Sequence, residues 1–348
     1  MSDYFVDRNN KNAILLKKIK SELPYFCEEF FLGIDSKTSM LTKVNYARDL
    51  KIFFNFLTTE IIDFSDKKVR ELTLDDLNKI TSTHFEMYLN YLSFYEDKEK
   101  KERSNSNKTK ARKLSSLRTF FTYFYKKDKL RENVATKIDL PKINEKEIVR
   151  LDINEVVDIL NLAENGDGFT KNKKAFFQKT KERDFAMLSL FLGTGIRISE
   201  LVGLNIGDFD FENNSFVVTR KGGNRMILYY SDEVKSALIS YLNFREEKEK
   251  ELKNDDPFFI SLQNKRINVR SVENLVKKYA QIVTPLKKIT PHKLRSTFGT
   301  NLYQETKDIY VVAEVLGHKD VNTTKKHYAA INENLRRDAL TGVKLRDE

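Results

Sequence analysis

The stretch LGHKDVNTTKKHYAAI, from Leu316 to Ile331, sets an imidazole (His318) on a glycine turn, adds three lysines and ends beside a phenol, Tyr328. A phenol attacks as a nucleophile only where a base or strongly cationic surroundings help it ionise. Further polar residues stand upstream. In LGTGIRISELVGL (192–204), Gly193 and Gly195 break an apolar helix and Arg197 opens a new turn, with Glu200 three residues on. TRKGG places Lys221 at a hairpin bend, and TPHKLRSTFGT (290–300) spaces His292 and Arg295 to emerge on one face of a helix starting near Pro291. Taken singly, each has a plain structural explanation: Arg197 and Glu200 an ion pair, His292 a helix-start residue, Tyr328 a core side chain, the lysines a solvated face. Taken in order, they are two guanidinium forks, a lysine, two imidazoles and a phenol, types that hold oxyanions, move protons and attack phosphorus.

Such residues need elements to position them, and the chain is long enough for two domains. Its 348 residues are 40% hydrophobic, with one cysteine, Cys27, and hence no internal disulfide. No run suggests a signal peptide or a membrane span, so a reducing cytoplasm is the expected location. The net charge of +11 suits a polyanionic partner. It is concentrated: residues 103–131 carry 10 Lys and Arg against one acid, Asp128. On a helical period Leu114, Leu117, Phe120, Phe121 and Phe124 share a core face, while Lys108, Arg112, Ser115, Thr119 and Tyr123 form an opposite stripe of cations and hydroxyls suited to a DNA backbone. The alternative is a solvated charged helix.

Helical patterning dominates residues 1–137, with one amphipathic helix at 45–60, a pair within 72–95 and then the basic helix. About 30 residues precede this helical set. A charged, Pro141-containing stretch at 138–151 is the expected linker, and a second domain occupies 152–348. There a helix at 152–164 is followed by a Lys-rich insertion (166–184) and an apolar helix (185–193). Two β-like runs flank Gly222-Gly223 in residues 214–230. The expected fold is mainly α with a small β-sheet.

Arg in TGIRISEL, Lys in a β-turn, HKLR, LGH and a following Tyr, in this order, resemble the tyrosine recombinase (phage integrase) superfamily, and the general sequence character is similar to its Xer branch. The likeness is specific in the C-terminal half and looser in the N-terminal half. It implies a helical core-binding domain of the SAM-like kind joined to an α/β catalytic domain, closing as a C-shaped clamp on double-stranded DNA. It also implies that Arg197, Lys221, His292, Arg295 and His318 are activating residues, Tyr328 the nucleophile and Glu200 a supporting acid. The gap from His318 to Tyr328 is one residue longer than the usual pattern, with His327 in the extra place, but no other tyrosine follows His318. The activity implied is site-specific recombination through a 3′-phosphotyrosine and a Holliday junction, of the Xer kind that resolves chromosome dimers. Mobile-element integrases and type IB topoisomerases use similar residues. The short stretch ahead of the helical domain favours the simple-site Xer kind over integrases with an added arm-binding domain. No cofactor is expected, and no clustered Cys, His and Asp set suggests a metal. A short apolar stripe after Tyr328, Leu335, Ala339 and Leu340 within 332–348, is by the resemblance an exchange helix that docks on a neighbour in a cyclic homotetramer on two sites.

Overall fold

The computed structural model describes residues 3–96, 100–143, 149–220, 223–249, 251–317 and 321. The protein is mostly helical, with two small sheets among the described residues. It divides into two compact units, residues 3–146 and the chain from 147 onward.

The first unit contains α1 (Asp3–Lys20), α2 (Cys27–Gly33), α3 (Met40–Glu60), α4 (Leu74–Asn78), α5 (Ser82–Tyr91) and α6 (Asn107–Tyr125). A two-residue antiparallel pair, β1 (Tyr95–Glu96) and β2 (Glu102–Arg103), lies between α5 and α6. Hydroxyl caps fix where three helices begin. Ser39, Thr73 and Thr81 each accept a backbone N–H of the first turn, and Asp76 returns a bond to the Thr73 N–H. In α3, Val44, Ala47, Leu50, Phe53, Phe54 and Leu57 recur every three or four residues and are all buried, which makes this helix the spine of the unit. Against it pack Leu114, Leu117, Phe120, Phe121 and Phe124 of α6, the core face expected from the sequence. Edge-on and stacked rings fill the space, as in Phe53 on Phe85 at 5.3 Å and Phe120 on Phe30 at 5.0 Å.

The first 30 residues are not a stretch ahead of this domain. Leu16, Ile19, Leu23, Cys27, Phe30 and Phe31 bury into the same core. The pattern was easy to miss because α1 is interrupted by DRNNKN and spends few apolar residues on its buried side.

The second unit runs α7 (Ile153–Asn165), α8 (Lys171–Phe177), α9 (Lys181–Thr194), α10 (Ile198–Val202), β3 (Phe209–Asp210), β4 (Ser215–Thr219), β5 (Arg225–Tyr229), α11 (Asp232–Glu246), α12 (Val269–Val283), α13 (Pro291–Thr306) and α14 (Ile309–Leu316). The strands form an antiparallel sheet in the order β3-β4-β5, with Ser215 opposite Tyr229 and Thr219 opposite Arg225. Helix α9 is central: Ala186, Met187, Leu188, Leu190 and Phe191 are at most 1% exposed, and α7, α11 and α13 pack around it. It starts at Lys181 rather than 185. The Lys-rich insertion is itself folded, containing α8 and two buried rings, Phe169 and Phe177, 5.3 Å apart. It is tied down by Asp184, a fully buried carboxylate that accepts from Thr180, Arg183, Lys278 and Tyr279. Lysine content hid this, because the apolar and acidic anchors are few and widely spaced.

The stretch read as a linker is anchored at both ends. Ile138 is buried in the first unit, with its carbonyl accepting from Arg118, and Leu151 is buried in the second, its N–H bonded to Thr297 Oγ1 at 3.0 Å.

Candidate active site

The site of the second unit begins where α9 ends. Arg197 is the residue just before α10, and Glu200 is the third residue of that helix. The Arg197 N–H donates to Glu200 Oε2 at 3.0 Å, and Nη1 donates to Oε1 at 2.8 Å. Glu200, 4% exposed, is thus cap and counter-ion together, so the ion pair and the cationic site are one arrangement. The other guanidinium nitrogen, Nη2, reaches the carbonyls of Leu316 and Gly317 at 3.3 and 3.1 Å.

Arg295 arrives from α13, whose start is set by Pro291 at its first position. The side chain is buried, with Nη1 on the Gly195 carbonyl and Nη2 on that of Leu316. His292, one turn earlier, stays exposed. The two share a helix, as the spacing implied, but at different depths.

A third arginine, which the sequence reading passed over, joins them. Arg220 follows β4 and sends Nη2 to the carbonyl of Val315 at 3.3 Å. Burial lowers its pKa, an effect that the nearby Glu200 charge opposes and that of Arg197 reinforces. Only its place beside Lys221 hinted at it. All three guanidinium groups therefore rest on the last carbonyls of α14, the negative end of that helix dipole, with one carboxylate among them. The remaining positive charge sits at the residues immediately before His318. Preorganised donors of this kind suit a phosphodiester whose charge grows in the transition state. Lys221, His318 and Tyr328 lie outside the described residues, as does the segment 332–348. Among the described residues, no group of three or more His, Cys, Asp or Glu could hold a metal, and no helix is long and apolar enough to cross a membrane.

In the first unit, the stripe of α6 is less uniform than its spacing implied. Lys108, Ser115 and Thr119 are exposed, with both hydroxyls donating to carbonyls of their own helix. Arg112 is half engaged: its fork donates to both oxygens of the buried Asp49 of α3, at 2.5 and 2.8 Å, beside Lys113 and Ser116 on the same carboxylate. Tyr123 turns inward. Its hydroxyl donates to the Glu29 carbonyl at 3.0 Å, and its ring packs edge-on to Phe30 and lies so close over Gly33 that a Cβ there would fall 2.2 Å from it. The stripe's acid and its covering helix come from elsewhere in the chain, out of reach of a reading of α6 alone.

Residues 149–334 match the phage integrase family, and residues 22–139 match its SAM-like domain. Over 355 residues the chain is 31% identical to the tyrosine recombinase XerS of Streptococcus thermophilus, covering 93% of this chain and 97% of that relative. It is 36% identical over 216 residues to the tyrosine recombinase XerC of Thermodesulfovibrio yellowstonii, covering 61% and 68% of the two chains. In fold it resembles the XerH site-specific recombinase bound to a palindromic difH substrate, with a TM-score of 0.62, 20% identity and coverage of 94% and 93%. The chain belongs to the phage integrase family. Within it, it is a tyrosine recombinase of the Xer type, an enzyme of site-specific recombination that breaks and rejoins DNA strands.

Proposed function

We propose that the protein resolves paired DNA sites by a metal- and ATP-independent exchange centred on Tyr328, acting in the cytoplasm as a homotetramer on two sites. The Tyr328 Oη attacks the scissile phosphorus and gives its proton to His292. As the phosphorus–O5′ bond breaks, the leaving oxygen takes a proton from Lys221 Nζ. Arg197 and Arg295 carry the charge that builds on the non-bridging oxygens, with His318 donating to one of them. The 3′-phosphotyrosine conserves the bond energy, so a 5′-hydroxyl from the partner duplex reverses the same steps and a Holliday junction results. Lys108, Ser115, Thr119 and the free edge of Arg112 hold the backbone from the other unit without reading sequence. The observation that carries this reading is the convergence of arginines on the turn just before His318. Chromosome dimer resolution is the biological role it fits.

The test is to map covalent protein–DNA junctions on a genomic library and then to place the recovered site twice on one plasmid. Junctions at a single chromosomal locus, with recombinant plasmids formed, are expected. Junctions at the ends of a mobile element would assign the enzyme to integration instead. Relaxation of supercoils at unrelated sequences, with no recombinants, would make it a type IB topoisomerase and overturn the proposal.

A further inference from the structure

We propose that Arg220 is a positioning residue that locks the Lys221 hairpin to the turn carrying His318, so that delivery of the leaving-group proton depends on it. Its backbone closes the bend from both sides: the Arg220 N–H donates to the Asn224 carbonyl at 2.8 Å, and its carbonyl accepts from the Gly223 N–H at 3.0 Å. Lys221 and Gly222 are the two residues enclosed between these bonds in the chain. The side chain extends the other way, onto the end of α14. Besides the bond to Val315, the guanidinium lies against Gly317, with Nη1 and the central carbon 1.4 and 2.1 Å from where a Cβ would stand. Gly317 has φ +60°, so both its backbone and this contact demand glycine. Among the described residues Arg220 Nε is buried with no hydrogen-bond partner. Arginine is a costly choice there unless its fork spans two segments that must move together.

The consequence follows from chain connectivity. Lys221 is one residue from one end of this clasp and His318 one residue from the other. A general acid contributes only when held within hydrogen-bond reach of the leaving oxygen. Without the clasp the bend keeps its backbone bonds but loses its registration against the α14 turn.

This inference rests on Lys221 being the general acid, and the experiment separates the two. Cleavage of a nicked suicide duplex is compared for wild type, Arg220→Ala, Arg220→Gln and Lys221→Ala, on ordinary DNA and on DNA with a 5′-bridging sulfur, whose thiolate leaves without a proton. Arg220→Ala should slow cleavage of ordinary DNA by roughly 10²-fold, the low end of what general-acid catalysis contributes. DNA affinity should change by less than about threefold, or about 0.65 kcal/mol, and the sulfur substrate should restore the rate. Arg220→Gln, which keeps much of the packing, should show the same rescued defect in milder form and covers the case in which the alanine variant melts early. If Lys221→Ala is rescued but the Arg220 variants are not, Arg220 serves the phosphate or the fold and the inference fails. Ordinary rates in both Arg220 variants would overturn it as well. If Lys221→Ala itself is not rescued, the assignment of the general acid fails, and the role given to Arg220 falls with it.

Discussion

Arg197 does two things at once, and its surroundings argue against a lysine in its place. One edge of the guanidinium is held by Glu200, while Nη2 reaches the carbonyls at 316 and 317. A planar fork serves both directions, whereas an ammonium is a point charge on a flexible stem. Arg197→Lys should therefore slow strand cleavage by about 10²- to 10³-fold, the cost of losing an oxyanion donor, while gel-shift affinity for the site stays within a few-fold. Equal losses of binding and cleavage would make Arg197 a positioning contact for DNA. At this scale the sequence was informative where chemistry demands a residue type at a fixed spacing. Arg197 and Glu200 are three apart because one helical turn separates them, and Pro291 marks the start of the helix carrying His292 and Arg295. It was silent on Arg220, because nothing local says that an arginine beside Lys221 will fold back onto a glycine almost a hundred residues later.

Among the elements, α6 shows what periodicity can and cannot tell. The 3.6-residue repeat identifies its buried face, because Leu114, Leu117, Phe120, Phe121 and Phe124 need only one apolar neighbour surface. It says nothing about which helix supplies that surface, so the pairing of Arg112, Lys113 and Ser116 with Asp49 of α3 and the packing of the half-buried Tyr123 against α2 were both illegible. Asp49 is 1% exposed, and Lys113 is nearly as deeply buried, with burial lowering its pKa against the pull of the carboxylate. Removing the charge leaves a buried ammonium uncompensated, a change that costs about 3 kcal/mol or more. Asp49→Asn should then lower the first thermal transition by about 10 °C, on the usual scaling for a unit of this size. It also frees the Arg112 fork, so DNA affinity measured well below that transition should not fall. Calorimetry and a binding titration on the same sample check both halves, and an unchanged transition would mean that the carboxylate is not compensating these cations.

For the molecule as a whole, the charged, proline-containing stretch near residue 141 suggested a linker at 138–151, but nothing in that stretch told that Ile138 and Leu151 would be buried at its ends. The first helices were also missed as part of the core, since α1 shows so little apolar surface. The order of the polar residues in the second half carried the family, and assembly is where the proposal reaches beyond one chain. Leu335, Ala339 and Leu340 make a stripe too short to form a stable helix alone, and a neighbouring protomer is the partner proposed for it. Deleting residues 333–348 should leave binding to one site nearly intact, because the DNA contacts proposed for α6 remain, yet abolish synapsis and strand exchange. A truncated enzyme recombining two sites at the wild-type rate would remove the exchange helix from the account. In the proposed chemistry Tyr328 becomes covalently joined to DNA, a bond that can be read directly. Wild-type protein is trapped on a nicked suicide substrate, digested with protease, and the DNA-linked peptide is sequenced by mass spectrometry, with Tyr328→Phe run alongside. A 3′-phosphotyrosine on Tyr328 is expected and, for the phenylalanine variant, full site binding with no adduct. An adduct on any other residue, or one that persists in Tyr328→Phe, would contradict it.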